Sequence, residues 1–267
     1  MIWTTVVLAA VLAAAPEDKD KLTFSHVRDT HGLLGPTRAA DKILPGGELY
    51  LCFDVEGVTV DDEGKVHYSI AVEVADSKGK TLFKQDPKDL EAPAALGGDH
   101  IPAYAHLDVG LQSPPGAYTT IVTVVDLPSK RSQQLKRTVE VLPKDFGLVR
   151  VKTTSDQEGQ IPVAVTGAGQ GLWLTFGAVG FARGGDAKQP DLTFEMRVLD
   201  EAGKPARAKP VAVQVNKDVP ADAALVPGQF FLSLNRAGKF TVELTATDQA
   251  GGKKAQLTFP LNVQDVK

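Results

Sequence analysis

The side chains of this chain that could do chemistry are few, and most lie in its first half. All five histidines, His26, His31, His67, His100 and His106, fall there, and His100 and His106 stand near Asp99 and Asp108. A group of imidazoles and carboxylates could hold a transition metal, since both are competent ligands. The spacing argues otherwise: no two histidines are i, i+4 as on a helix, and none has the close pairing of structural zinc sites. They are read as solvated loop and strand residues, with GGDHI marking a loop peculiar to the first half that could serve a partner. Asp61, Asp62 and Glu63 before Gly64, and Gly184, Gly185 and Asp186 further on, offer oxygens of the kind calcium takes. Neither stretch has alternating ligands closed by a glutamate, so polar hairpin tips are expected. The chain has no Gly-x-Ser-x-Gly, no cysteine beside a base and no glycine-rich phosphate loop. Carboxylates converging from distant loops would escape such a search, which leaves a glycosidase arrangement open. The expectation is a protein that is not an enzyme, with no cofactor and no metal.

Cys52 is the only cysteine, so no disulfide can close within one chain. In YLCF it alternates with Leu51 and Phe53. If Leu49, Leu51 and Phe53 face a core, Tyr50 and Cys52 face outward, and so do Trp173 and Thr175. A half-covered thiol follows. The alternatives are a dimer through a Cys52 disulfide, or a surface where Tyr50 and Trp173 meet a partner, aromatics being enriched at interface cores. The candidate interaction surface is therefore Tyr50, Cys52, Trp173, His100 and His106. Lys130, Arg131, Lys136 and Arg137, matched by Lys253 and Lys254, read as solvated strand ends.

The elements that must position these residues are set by a chain of 267 residues, 43% hydrophobic and 23% charged. That is the balance of a globular protein. Lys plus Arg at 29 against Asp plus Glu at 33 leaves a net charge of −4, too even to steer the chain onto nucleic acid or an anionic membrane. Residues 1–15, MIWTTVVLAAVLAAA, form an uncharged apolar run ending in small residues, which reads as an export signal. As a helix rising about 1.5 Å per residue the run spans roughly 22 Å, short of a hydrocarbon core of about 30 Å, so no transmembrane segment is expected in the mature chain. No Lys or Arg precedes it and Pro16 follows it, which leaves an earlier cut or an uncleaved tether open. The expected location is periplasmic, cell-surface or extracellular.

Sliding the sequence on itself reveals a duplication. Leu49, Leu51, Phe53 and Gly57 fall on Leu172, Leu174, Phe176 and Gly180; KDLEAPAAL from Lys88 falls on KDVPADAAL from Lys217. Gly116, Tyr118, Asp126, Leu135, Val139 and Val141 fall on Gly238, Phe240, Asp248, Leu257, Leu261 and Val263. Copy one is placed at 22–142 and copy two at 148–267, with 143–147, PKDFG, as a linker. Each copy alternates with period two: Phe240, Val242, Leu244 and Ala246 share one face, and the intervening threonines and Glu243 the other. Gly, Pro and Asp punctuate the runs, and Pro93 and Pro220 interrupt the Ala-rich KDLEAPAAL and KDVPADAAL. About seven short strands per copy indicate an all-β chain of two antiparallel sandwiches.

PGAYTTIVTVVD and AGKFTVELTATD resemble the Gly-x-Tyr, alternating strand, Asp signature of bacterial immunoglobulin-like, fibronectin type III and PKD-type domains. The resemblance implies two tandem immunoglobulin-like sandwiches, with the Tyr118 hydroxyl bonding backbone at a corner. Phe240 would be a packing anchor, and Asp126 and Asp248 would accept turn N–H groups. Thr120 and Val242 stand where antibody domains carry the second cysteine. The fold hosts many functions. The expected function is an exported, non-catalytic binding or spacer module whose partner is an envelope or extracellular protein or polysaccharide. A two-domain periplasmic chaperone binding clients by strand donation is the alternative, and an enzyme or enzyme accessory domain a third reading.

Overall fold

A computed structural model describes residues 21–186 and 188–265; the expected export signal lies outside the described residues. The first half contains β1 (Thr23–Thr30), β2 (Lys42–Ile43), β3 (Glu48–Glu56), β4 (Lys65–Asp76), β5 (Thr81–Pro93), β6 (His100–Asp108), β7 (Gly116–Asp126) and β8 (Ser132–Val141). The second contains β9 (Gly147–Thr154), β10 (Thr166–Gly167), β11 (Gly171–Val179), β12 (Leu192–Leu199), β13 (Val211–Val215), β14 (Leu225–Ser233), β15 (Gly238–Asp248) and β16 (Lys253–Gln264). Among the described residues every regular element is a strand.

The first half pairs a three-stranded sheet, β1-β3-β6, with a five-stranded one, β2-β8-β7-β4-β5. The second half has β9-β11-β14 and β10-β16-β15-β12-β13, the same order strand for strand. All pairings are antiparallel except the short β2 on β8 and β10 on β16. The all-β class read from the sequence is therefore correct, with two very short strands added to the expected count.

Period-two alternation puts one face of each sheet inside. In the first half Leu51, Phe53, Val55, Val66, Val122 and Val124 are buried, and in the second Leu172, Leu174, Phe194, Val242, Leu244 and Ala246. Each large apolar side chain so buried contributes about 1.5–3 kcal/mol relative to exposure. Phe146, placed in the linker from sequence, is buried in the second core, and Gly147 already opens β9.

The polar positions in the repeat have mechanical reasons. Asp126, wholly buried, accepts hydrogen bonds from Thr59 N–H (3.0 Å) and Thr59 Oγ1 (2.7 Å), and from Ser129 and Arg131. Burial alone would push its carboxyl up, but these donors outweigh it and hold it below the ordinary value. Asp248 likewise accepts from Ala182 N–H (2.8 Å) and Gly251 N–H (3.0 Å). The loops so gripped begin at Gly57 and Gly180, with φ +76° and +67°. A side chain at either would run into the carbonyl of Lys21 or Asp145. The Tyr118 hydroxyl donates to the Pro114 carbonyl at 2.8 Å, the corner bond that the resemblance implies. Phe240 has no such bond and lies under the Arg236 guanidinium, 4.9 Å from the ring centre.

The best-matched sequence block adopts two conformations. Lys88–Pro93 completes β5, paired with β4, whereas residues 217–224 are bends and turns before β14. Pro220 stands where the first copy has Glu91, a ladder partner of His67, and proline has no N–H for a ladder. The Gln189 side chain accepts from Val219 N–H (2.9 Å) and donates to the Val219 carbonyl (3.2 Å), holding the segment off the sheet.

Candidate functional site

The outer face of each three-stranded sheet carries aromatic rings at the same ladder positions. On β3, Tyr50 stands between Thr30 of β1 and His106 of β6. Its ring stacks on His106 at 4.4 Å between centres and lies 6.2 Å from Tyr104, which is half exposed. On β11, Trp173 stands between Thr154 of β9 and Phe231 of β14, 5.0 Å from the Phe231 ring. Phe231 is 51% exposed, an unusual state for a phenylalanine. Alternation explains the placement: Leu49 and Leu51, like Leu172 and Leu174, take the inner positions and leave the residues between them outside.

A charged group lies between these two faces. Glu48 opens β3 two residues before Tyr50, and one carboxylate oxygen sits 3.5 Å from His106 Nε2. Its other oxygen is buried without a hydrogen-bond partner. Burial pushes the Glu48 carboxyl up, yet the contact with His106 and the charges of His106, Lys152 and Arg150 outweigh it, so it titrates below its ordinary value. Arg150, from β9 of the second half, donates to the Gly46 carbonyl through Nε (2.9 Å) and to Asp108 (2.9 Å), both in the first half. Lys152 follows on the same strand, opposite Thr175. Burial, then the carboxylates of Glu48 and Asp108 with Tyr104 between them in weight, raise the Tyr50 phenol, and Arg150 opposes them. A cavity of about 640 Å³ is lined here by Glu48, Arg150, Lys152, Glu158, Thr175 and Gln229 among others. The Thr175 hydroxyl, buried, has no partner. The arrangement sets two cations beside an open cavity close to the ring-bearing strands, with one Glu48 oxygen and the Thr175 hydroxyl buried and unpaired there. It contains no nucleophile beside a base.

The sequence-predicted site divides accordingly. Tyr50 and His106 come together, and Trp173 takes the equivalent place in the second half. His100 is exposed at the head of β6, opposite Glu56. Six residues of strand put it about 20 Å from His106, too far to share an ion or a small ligand. Cys52 requires a correction: it is 3% exposed, not half covered. It lies on the outer face as alternation requires, but Arg28 and Tyr104 flank it on the ladder and the Thr30 hydroxyl is 3.5 Å from its sulfur. A thiol so covered cannot meet a second chain unless the sheet moves.

The loop readings also resolve. Asp61 turns its carboxylate onto Glu63 N–H and Lys65 N–H, both at 2.9 Å, and onto His67 Nε2 at 2.9 Å, the work of a hairpin tip. Three of the basic strand-end residues are not simply solvated: Arg131 binds Asp126, Arg137 binds Asp29 at 2.6 Å, and Lys253 binds Asp145 at 2.6 Å.

Sequence reasoning missed Glu48, Arg150 and Lys152, and beside them a buried polar group, Asp29, His31 and Arg38. Arg38 donates to the carbonyls of Lys42 (3.0 Å) and Glu48 (3.4 Å). His31 is buried where the halves meet, 6.2 Å from the Phe259 ring. Burial first, and the Arg38 charge second, lower its imidazole to about 3.

No protein-family model matches the sequence, and no curated protein matches it. Solved structures do. The chain is similar to the C-terminal domain of the Streptococcus pyogenes antigen I/II-family protein AspA, at 11% identity and a TM-score of 0.30, over 92% of this chain and 100% of that one. It is also similar to red sea bream transglutaminase, at 11% identity and TM-score 0.28 over 92% of this chain. A third is the Pseudomonas fluorescens alkylpurine DNA glycosylase AlkC bound to DNA containing an abasic site analog, at 12% identity and TM-score 0.32 over 46% of this chain. The chain spans 31% of the length of each of these two enzymes. Similarity at this level carries no assignment of activity.

Proposed function

We propose that this protein is an exported, non-catalytic binding module built from two immunoglobulin-like sandwiches, and that it recognises an envelope or extracellular protein or polysaccharide. The observation that carries the reading is the repetition of an aromatic pair, half-buried Tyr50 with exposed His106 and half-buried Trp173 with exposed Phe231, at one ladder position in both halves. Exposed rings in such a pair cost solvation in the free protein and gain most when a partner covers them. Arg150 and Lys152 between the pairs add directional polar contacts. The link between the halves through Arg150 supports a surface of fixed shape, which lowers the entropy lost on binding.

The test is a cross-linking pull-down with the tagged chain against an envelope extract of its source, beside a Tyr104→Ala/Phe231→Ala bait. A saturable partner enriched by the parent and lost from the variant is the expected result. Equal recovery by both baits would remove the aromatic faces from the reading, and no enrichment over an unrelated tandem sandwich would favour a spacer.

A further inference from the structure

The two halves differ most along one edge of the sandwich. In the first half β5 runs for 13 residues and pairs with β4 from Lys65 to Ala75. In the second half β13 has 5 residues and covers only Leu192–Met196 of β12. Beyond Met196 the edge strand is replaced by a loop, PARAKP, from Pro205 to Pro210. A cleft of about 540 Å³ opens there between the sheets. Its floor is core: Met196, Val198, Leu232, Leu234 and Leu261. Its rim is basic, with Arg207 and Lys209 from the loop and Arg236 from the turn between β14 and β15. The Arg236 guanidinium rests on Phe240, which also lines the cleft. Among the described residues none of these three cations forms an ion pair.

The duplication supplies an internal comparison. The first half has a cleft of about 510 Å³ at the same place, floored by Val74, Leu107 and Tyr118. There the rim is mixed, Asp76 and Asp108 beside Lys78, with Leu82 and Phe83 exposed. One slot occurs twice, and only the second has three cations converging from two loops.

We propose that the second-half cleft binds a single-chain anionic amphiphile, a fatty-acid carboxylate, with the alkyl chain between the sheets and the head among Arg207, Lys209 and Arg236. The cleft's apolar floor of Met196, Val198, Leu232, Leu234 and Leu261 can cover an alkyl chain, and every methylene taken from water favours binding. The volume falls in the range of about 300–1,000 Å³ for small-molecule sites. Strand addition by a peptide on β12 is disfavoured: the Val198 carbonyl already accepts Ala206 N–H at 2.8 Å, and Leu199 bridges Pro205. The cleft is separate from the aromatic face of the first half and touches that of the second only through Phe231, which lines both.

The test uses the full chain and a polyene fatty acid that becomes fluorescent in an apolar site. Saturable binding of one probe per chain is expected, displaced by dodecanoate and at least about tenfold more weakly by dodecanol. Arg207→Gln/Lys209→Gln/Arg236→Gln weakens the probe about tenfold, while Lys78→Gln at the first-half cleft and Tyr104→Ala on the aromatic face leave it unchanged. Absence of saturable binding, equal displacement by the alcohol, an unaltered triple variant, or displacement of the probe by an acidic apolar peptide alone overturns the proposal. Because Phe231 lines both places, Tyr104→Ala alone reports on the aromatic face without touching this cleft, and the glutamine triple variant reports on the cleft without touching the rings.

Discussion

Acidification from pH 7 to pH 5 tests the junction between the halves through His31. The imidazole is buried, its lowering to about 3 comes chiefly from burial, and Arg38 adds to it. An unfolded chain takes a proton on this ring near pH 6.5, while the folded one refuses it until about pH 3. The folded value lies below the unfolded one, so stability is greatest above pH 6.5 and falls as pH drops toward 3. The slope approaches about 1.4 kcal/mol per pH unit, and the loss between pH 7 and pH 5 is about 2 kcal/mol. At pH 5 the folded ring is still neutral, so that loss is set by protonation of the unfolded chain. The assay is guanidinium unfolding followed by circular dichroism at both pH values, for the parent and for His31→Leu. Any packing defect in the variant shifts both of its curves alike. The histidines beside carboxylates, His26, His67 and His106, are present in both proteins and cancel in the comparison. The parent should therefore lose about 2 kcal/mol more than the variant on acidification. Equal losses would show that His31 titrates freely, and the reading of a dry junction would fail.

Three further outcomes follow from contacts within each half. Asp126→Ala strands the Thr59 N–H and hydroxyl and should cost about 3 kcal/mol, read from the denaturant midpoint; a change within ±0.5 kcal/mol would refute the tie. Because the Asp126 carboxyl titrates low, its contribution is present above the unfolded carboxylate range and disappears as pH falls below it. Tyr118→Phe removes the bond to Pro114 and should cost about 1 kcal/mol, whereas Phe240→Tyr should gain nothing unless a new partner is found, a contrast that paired thermal melts resolve. Cys52 should stay inert to an aromatic disulfide reagent in the native protein and react at once in denaturant. Rapid native labelling would mean that the outer face of β3 opens.

The fold was readable because its information is local and doubled. Alternating Val242, Leu244 and Ala246 declare a face, and a second copy with the same alternation removes chance. Gly57 and Gly180, Asp126 and Asp248, appeared as matched letters, and their bonds explain the match. What alternation cannot tell is how thickly the outer face is covered. Cys52 sits on the expected side, yet its ladder neighbours Arg28 and Tyr104 close over it. Pro220 was visible but read only as a helix breaker; its effect on the β5-like block depends on Gln189, far along the chain. The junction residues were beyond reach for a similar reason. Asp29, His31 and Arg38, with Glu48 and Arg150, come from separate segments, and no spacing within any one of them announces the others. The exposed state of Tyr104 and Phe231 follows from their cross-strand places opposite Cys52 and Trp173, which depend on strand pairing rather than on local spacing.

A chain that writes one topology twice in succession gives every strand two homes while it is being made. The first half leaves the ribosome first and must complete its sheets before the second supplies competing strands. Exchange between neighbouring duplicates is a recognised route to misassembly. The unequal edge strands act against it: β13, with 5 residues, would leave most of the β4 ladder bare if it took the place of β5, and β5, with 13, would collide with the loop at Pro205–Pro210 if it took the place of β13. The difference that puts the loop of Pro205–Pro210 on the rim of the second-half cleft thus also tells the two copies apart during folding.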